Sequence, residues 1–308
     1  MYTRREFGRL TLTGLALPLF SGLADSTFGG VRLGVQTYSF RDLPRPQDGN
    51  AIDVIIKAMT ECGLSDCELW APQVEPRGPN VGRGAPSTPE ADRARQKARE
   101  DLRAWRTNTG LDHFRAIKKR FDAAGISIYA YNYSFSGDMT DAEIDRGFEM
   151  AKALGAEIIT ASTNLTVAKR VVPFADKHRM IVAMHGHSNR TDPNEFCTPE
   201  SFDAAMKLSK YFKVNLDIGH FTAADFDAVA YIRQHHADIT NLHLKDRKKN
   251  EGDNVSWGEG ETPIREVLVM LKREKWPIRT YIEYEYRGAG TPIQEVAKCF
   301  EYAKRILS

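Results

Sequence analysis

The chain has 308 residues, 42% of them hydrophobic and 27% charged, which is enough apolar surface for one large folded domain. Its 43 basic and 41 acidic side chains are mixed along the chain and leave a formal charge of +2, so neither nucleic acid nor an anionic membrane surface is favoured as a partner. A small-molecule partner fits that balance better.

In chain order, Thr3, Arg4, Arg5, Glu6 and Phe7 precede an apolar run over 10–19 and a small-residue stretch ending at Ala24. That is the layout of a twin-arginine export signal over residues 1–24, which implies a bacterial protein that is periplasmic or otherwise exported. The run is too short to span a bilayer and no later segment approaches about 20 apolar residues, so no stable membrane span is expected after signal removal. Cys62, Cys67, Cys197 and Cys299 show no metal-type pairing and read as buried thiols.

From residue 31 onward, short β-branched or aromatic runs alternate with longer amphipathic segments, the signature of βα units on a parallel sheet. Strands are predicted at 33–39, 67–70, 126–132, 157–161, 180–185, 214–217, 239–244 and 280–283. Helices are predicted at 51–62, 111–124, 140–154, 166–178, 199–211, 224–236, 262–274 and 292–306. Thr198 and Thr262 each precede a proline, which places a capping hydroxyl before the first helical turn. Eight such units in residues 31–308 define the fold class as α/β, a (β/α)8 TIM barrel forming a single domain. The competing open sheet lacks the Gly-x-Gly-x-x-Gly phosphate loop in its first βα turn. Residues 72–110 exceed the minimal unit, rich first in Pro, Gly and Arg and then in charged helix formers. They read as an insertion after strand two, either a lid or a solvated excursion.

Polar residues at the C-terminal ends of barrel strands converge on one cavity, and the last four strands all end in them. Strand five closes on His185 and His187, strand six on Asp217 and His220, strand seven on His243, Lys245 and Asp246, and strand eight on Glu283 and Glu285. Alternation puts His243 with Lys245, and Glu283 with Glu285, on one face. One residue per strand end gives His185, Asp217, His243 and Glu283, a mixed nitrogen and oxygen set suited to Mn²⁺, Co²⁺, Fe²⁺ or Zn²⁺ rather than Ca²⁺. Two carboxylates in one cavity are costly unless paired or metal-bound.

The segments Gly34 to Phe40, Glu68-Leu69-Trp70, Asp217-Ile218-Gly219-His220, His243-Leu244-Lys245-Asp246, Gly258-Glu259-Gly260 and Ile282-Glu283-Tyr284 together resemble the xylose isomerase-like barrels of sugar phosphate isomerases and epimerases. The resemblance implies a divalent ion on His185, Asp217, His243 and Glu283. It also implies that His220 contacts substrate or metal-bound water, and that Gln36, Glu68, Lys245 and Asp246 belong to the substrate pocket. The departure is at strand five, where the family's usual glutamate is replaced by His185. His187 competes with His185 for the ligand place and otherwise faces the substrate.

The chemistry so implied is proton transfer next to a sugar carbonyl through an enediolate. Glu283, or His185 where it is free of the metal, would move the proton, and Lys245 and His220 would orient or balance the oxygens. The product would be that of a sugar isomerase or epimerase. One alternative is a 3-keto-glycoside lyase or hydratase acting by β-elimination; another is an exported sugar-binding protein without catalysis. A related barrel chemistry, phosphodiester cleavage, needs further His and Glu ligands and a basic face that the sequence lacks. The substrate is a small sugar or keto-sugar, without a phosphate cradle to receive a phosphorylated one, and a homo-oligomer is left open.

Overall fold

The computed structural model describes residues 23, 25–45, 51–76 and 88–308. The expected export segment, Leu23 apart, lies outside them, as do residues 77–87 of the insertion. Eight strands form the centre: β1 (Val31–Gln36), β2 (Asp66–Trp70), β3 (Ser127–Asn132), β4 (Ile158–Ser162), β5 (Ile181–His185), β6 (Phe212–Asp217), β7 (Ile239–Leu244) and β8 (Arg279–Ile282). Each runs parallel to the next, and β8 returns to β1 with Tyr281 opposite Gly34, so the sheet closes into the expected (β/α)8 barrel.

The helices are α1 (Ala51–Cys62), α2 (Pro89–Asn108), α3 (Leu111–Ala123), α4 (Asp141–Ala153), α5 (Leu165–His178), α6 (Pro199–Met206), α7 (Ile218–Ala223), α8 (Ala228–His235), α9 (Ile264–Glu274) and α10 (Pro292–Leu307). Local chemistry explains where these differ from expectation. β1 stops at Gln36 because its side-chain oxygen accepts from Tyr38 N (3.1 Å) and turns residues 37–40 into a 3-10 helix. The helix expected over 224–236 begins only at Ala228, capped by Asp227, because Asp225 is left-handed (φ 64°), and a separate short helix, α7, capped by Asp217, precedes it. Thr198 caps α6 as expected, but the Thr262 hydroxyl accepts from Arg247 N (3.0 Å) and leaves α9 without a side-chain cap. All four cysteines are buried free thiols.

Alternation along each strand sends one set of residues outward into a continuous apolar layer under the helices, Leu33, Val35, Val182, Leu242 and Ile282 among them. The inward set is stacked in tiers. Where the strands begin, Asp66 pairs with Arg32 and Arg279 and accepts from the Tyr281 hydroxyl (3.1 Å). Gly34 makes room here, since a Cβ on it would lie 2.5 Å from the Tyr281 ring and from the Asp66 carbonyl. A small apolar plug of Ala130, Ile158 and Ala183 follows. Above it lies a polar tier, Gln36, Glu68, Asn132, Thr160, Asn215 and Asn241, all buried. The strand-end residues of interest stand on that tier.

The insertion contains α2, whose arginines grip α4. Buried Glu143 takes Arg99 (2.8 Å), Arg103 (2.9 Å) and Arg106 (3.5 Å), and Arg106 also forks onto Glu75 at 2.7 and 3.1 Å. Burial raises the Glu143 carboxyl, but the Thr140 amide and the arginines outweigh it and bring it down to about 2. A carboxylate held below its unfolded value stabilises the fold above about pH 4.5, and that contribution is lost as pH falls toward 2. Glu143→Gln is therefore expected to lose about 3 kcal/mol at pH 7. Urea midpoints should show the gap to the parent protein narrowing from pH 4.5 downward, and a gap independent of pH would contradict this.

Candidate metal centre and its cavity

The C-terminal strand ends bring His185 from β5, Asp217 from β6, His243 from β7 and Glu283 from just beyond β8 into one buried cluster. One donor atom of each lies within 4.8 Å of the other three. Four atoms here have no hydrogen-bond partner: His185 Nδ1, Asp217 Oδ2, His243 Nδ1 and Glu283 Oε2. Three of them have charged neighbours, Lys245 beside Asp217 Oδ2 (3.0 Å) and Glu283 Oε2 (2.7 Å), and His243 Nδ1 beside Glu283 Oε2 (3.2 Å), and the convergence of the four buried donors could hold a cation. The set is two imidazole nitrogens and two carboxylate oxygens, which fits a divalent transition ion. His187, whose Nδ1 is 3.0 Å from Glu195 Oε1, is not part of the cluster.

Each donor is aimed by its own surroundings. Asp217 spends Oδ1 on the His220 amide at the start of α7 (2.7 Å), which leaves Oδ2 for the cluster. His243 directs Nε2 at Glu68 Oε2 (2.9 Å) and Nδ1 at the cluster. Lys245 brings its ammonium within 3.0 Å of Asp217 Oδ2 and 2.7 Å of Glu283 Oε2, without hydrogen-bond geometry to either, and also pairs with Glu285.

Burial, then the neighbouring His243, pushes the His185 imidazole well below its usual range and keeps it neutral, as a ligand must be. Burial also lowers His220, with Lys245 adding to the effect. At His243 burial acts downward, but Glu68 and Glu283 outweigh it and raise the imidazole well above its ordinary value. The two carboxylates are driven apart. Burial lifts Asp217 to about 7 against the pull of Lys245, whereas at Glu283 Lys245 and His243 overcome burial and hold the carboxyl well below the usual range.

Above the cluster opens a cavity of about 730 Å³, within the range of small-molecule sites. Gln36, His187, His220, Lys245 and Glu283 line it together with His185 and His243. Two residues placed in the substrate pocket by resemblance do not. Glu68 lies in the polar tier beneath, its oxygens taken by side-chain donors. Asp246 turns away because its carboxylate accepts from the amides of Gly258 (2.8 Å), Gly260 (3.0 Å) and Thr262 (3.1 Å), tying down the loop after β7.

The cavity also contains residues that the sequence reading passed over. Tyr38 and Trp70 meet edge to face at 4.8 Å, and offer an aromatic wall to the apolar face of a sugar ring. Arg247 donates to Gly252 O (2.7 Å), to Ser188 Oγ (3.0 Å) and to His220 Nδ1 (2.6 Å). Lys245 faces the other nitrogen of the same ring, His220 Nε2, at 3.1 Å; both cations only donate and a neutral imidazole accepts at one nitrogen, so just one of these two contacts is a hydrogen bond. The signal for both was present: Trp70 follows Glu68, and Arg247 follows Lys245, at the two-residue period of the inward face. Of the insertion's described residues, Pro72 lines this cavity and none of α2 does.

Residues 89–304 match the family described as xylose isomerase-like TIM barrel, and the chain belongs to that family. Over 94 residues it is 30% identical to L-ribulose-5-phosphate 3-epimerase UlaE of Salmonella paratyphi A, which covers 30% of this chain and 33% of that protein. The match thus spans about a third of the length of such curated relatives. Among solved structures, a sugar phosphate isomerase/epimerase from Parabacteroides distasonis superposes with a TM-score of 0.59 at 17% identity, covering 92% of this chain and 100% of that one. The 3-keto-D-glucoside 4-epimerase YcjR of E. coli gives 0.60 at 10% identity, covering 89% and 99%. Likeness at these identities shows the shared fold.

Removing one member of the cluster should weaken ion binding while leaving the barrel intact. His185→Ala is expected to raise the Co²⁺ dissociation constant at least tenfold in a calorimetric titration. His187→Ala should leave it within about threefold. The reverse order would move the fifth strand's ligand to His187.

Proposed function

We propose that this protein is an exported, divalent-metal-dependent enzyme that moves a proton on the carbon beside a sugar carbonyl, as a sugar isomerase or epimerase does. The observation that carries this reading is the convergence of four buried donor atoms from four consecutive strand ends, beneath a polar cavity with an aromatic wall. A divalent ion held by His185, Asp217, His243 and Glu283 would supply Lewis-acid stabilisation of the oxyanion that forms when the proton leaves.

The chain's own groups account for the remainder. Glu283, kept ionised by Lys245 and His243, is the base that takes the proton from carbon. The Lys245 ammonium, with the His220 imidazole beside it at 3.1 Å, addresses the oxygens on which negative charge develops. Returning the proton to the neighbouring carbon isomerises the sugar, and returning it to the opposite face of the same carbon epimerises it. Epimerisation needs a second proton carrier, and in this chain the fifth strand provides imidazoles at that end of the ligand row, not a carboxylate.

That exchange of carboxylate for imidazole supports a second reading. In a 3-keto-glycoside, loss of the proton beside the ketone can expel the glycosidic oxygen, and an imidazole N–H such as that of His187 would then serve that leaving oxygen in place of a carbon. The two readings divide on product. The mature protein, stripped with chelator and reloaded with Mn²⁺ or Co²⁺, is to be incubated in D₂O with free ketoses and with 3-keto-glycosides. Deuterium appearing beside the carbonyl of a ketose is the expected result, and release of a free sugar from the glycoside would establish elimination instead. Turnover that survives complete chelation would overturn both, and ion binding without turnover would leave a sugar-binding protein.

Within this reading, Glu283→Gln is expected to lower turnover by about 10²–10³-fold. A loss of less than tenfold at saturating metal would remove Glu283 from the role of base.

A further inference from the structure

We propose that Glu68 is a positioning residue for the metal centre, acting through His243 and never touching substrate. The proposal rests on reading the four strand-end residues as ligands and goes beyond it, because Glu68 lies one tier below them.

The Glu68 side chain is fully buried and does not line the cavity. Its Oε1 accepts from Gln36 Nε2 (2.6 Å) and Asn132 Nδ2 (3.0 Å). Its Oε2 is approached by Asn241 Nδ2 (3.0 Å), Asn215 Nδ2 (3.4 Å) and His243 Nε2 (2.9 Å). Four of these partners are side-chain amides, arriving from β1, β3, β6 and β7, so the carboxylate is clamped from several sides of the barrel and cannot rotate. An isolated carboxylate in such a place is expensive, and amides alone leave its charge uncompensated.

A carboxylate can only accept, so the nitrogen 2.9 Å from it carries a hydrogen, and His243 is held with Nε2–H downward. Nδ1 is then the nitrogen that faces the cluster, 3.2 Å from Glu283 Oε2, and the one that gives up its proton to take an ion. The carboxylate also raises the donor strength of the imidazole that it holds, which is how an outer partner tunes a bound ion. Glu68 thereby fixes ring plane, tautomer and basicity of one ligand at once.

The test uses Co²⁺ with the whole protein. Glu68→Gln keeps the shape and removes the charge. With its melting temperature and circular dichroism checked against the parent, it is expected to bind Co²⁺ about 10–100-fold more weakly, with a shifted visible absorption band. A folded Glu68→Gln protein with parent-like affinity and spectrum would overturn the proposal. Should that variant not fold, ¹⁵N NMR of the Zn²⁺-loaded parent protein decides without any substitution. A His243 ring protonated at Nε2 and metal-bound at Nδ1 supports it, and the opposite tautomer defeats it. A parent protein that binds neither Co²⁺ nor Zn²⁺ would bring down the metal reading together with this one, whereas failure at Glu68 alone leaves that reading standing.

Discussion

Two carboxylates cannot remain ionised side by side inside the mouth of a barrel unless positive charge is placed between them. Asp217 and Glu283 meet this condition only in part through Lys245, which is shared with a third carboxylate on Glu285. Burial consequently lifts Asp217 toward neutrality while Glu283 keeps its charge. Two imidazole nitrogens facing the same point complete a space whose chemistry is that of a divalent cation. The cavity above, its aromatic wall and its donors are arranged around that one electrostatic requirement.

The lower tiers of the barrel serve it as well. The ionic base at Asp66, the apolar plug and the amide tier fill the interior in succession, so the strand ends stand on a packed floor. Rigidity at that floor matters because a ligand displaced by even an ångström changes the geometry offered to an ion. Gly34 and Tyr281 interlock near the base, and a larger residue at Gly34 would shift β1 against β8, the strand that leads to Glu283.

Much of this was legible in the residues. Strand β7 and helix α1 fall where the pattern put them, and His185, Asp217, His243 and Glu283, which end consecutive strands, come together in one buried cluster. The period of two along a strand decided between His243 and its apolar neighbours. It could not decide between His185 and His187, which share a face, and only the closed barrel separates them by height. Asp246, which the family resemblance put in the pocket, instead accepts from three backbone amides 12 to 16 residues downstream, partners that no local pattern announces. Arg247, by contrast, was missed. It continues the inward face past the end of β7, into a short hairpin with residues 254–255 that has no hydrophobic pattern of its own. Glu68 could be recognised as a buried carboxylate candidate, but its partners come from strands spread over some 170 residues, so no local spacing foretells them.

Asp217 links two parts of the molecule that would otherwise move separately. One of its oxygens anchors the first turn of α7, and the other points to the ion site. The plane of the carboxylate is thus fixed by main chain before any ion arrives, and little freedom remains to be surrendered on capture. The same tie works in reverse: whatever shifts this oxygen also tugs the turn that carries His220. Injury at residue 217 would consequently be a double lesion, removing a carboxylate from the proposed ion site and misaiming an imidazole in a single stroke.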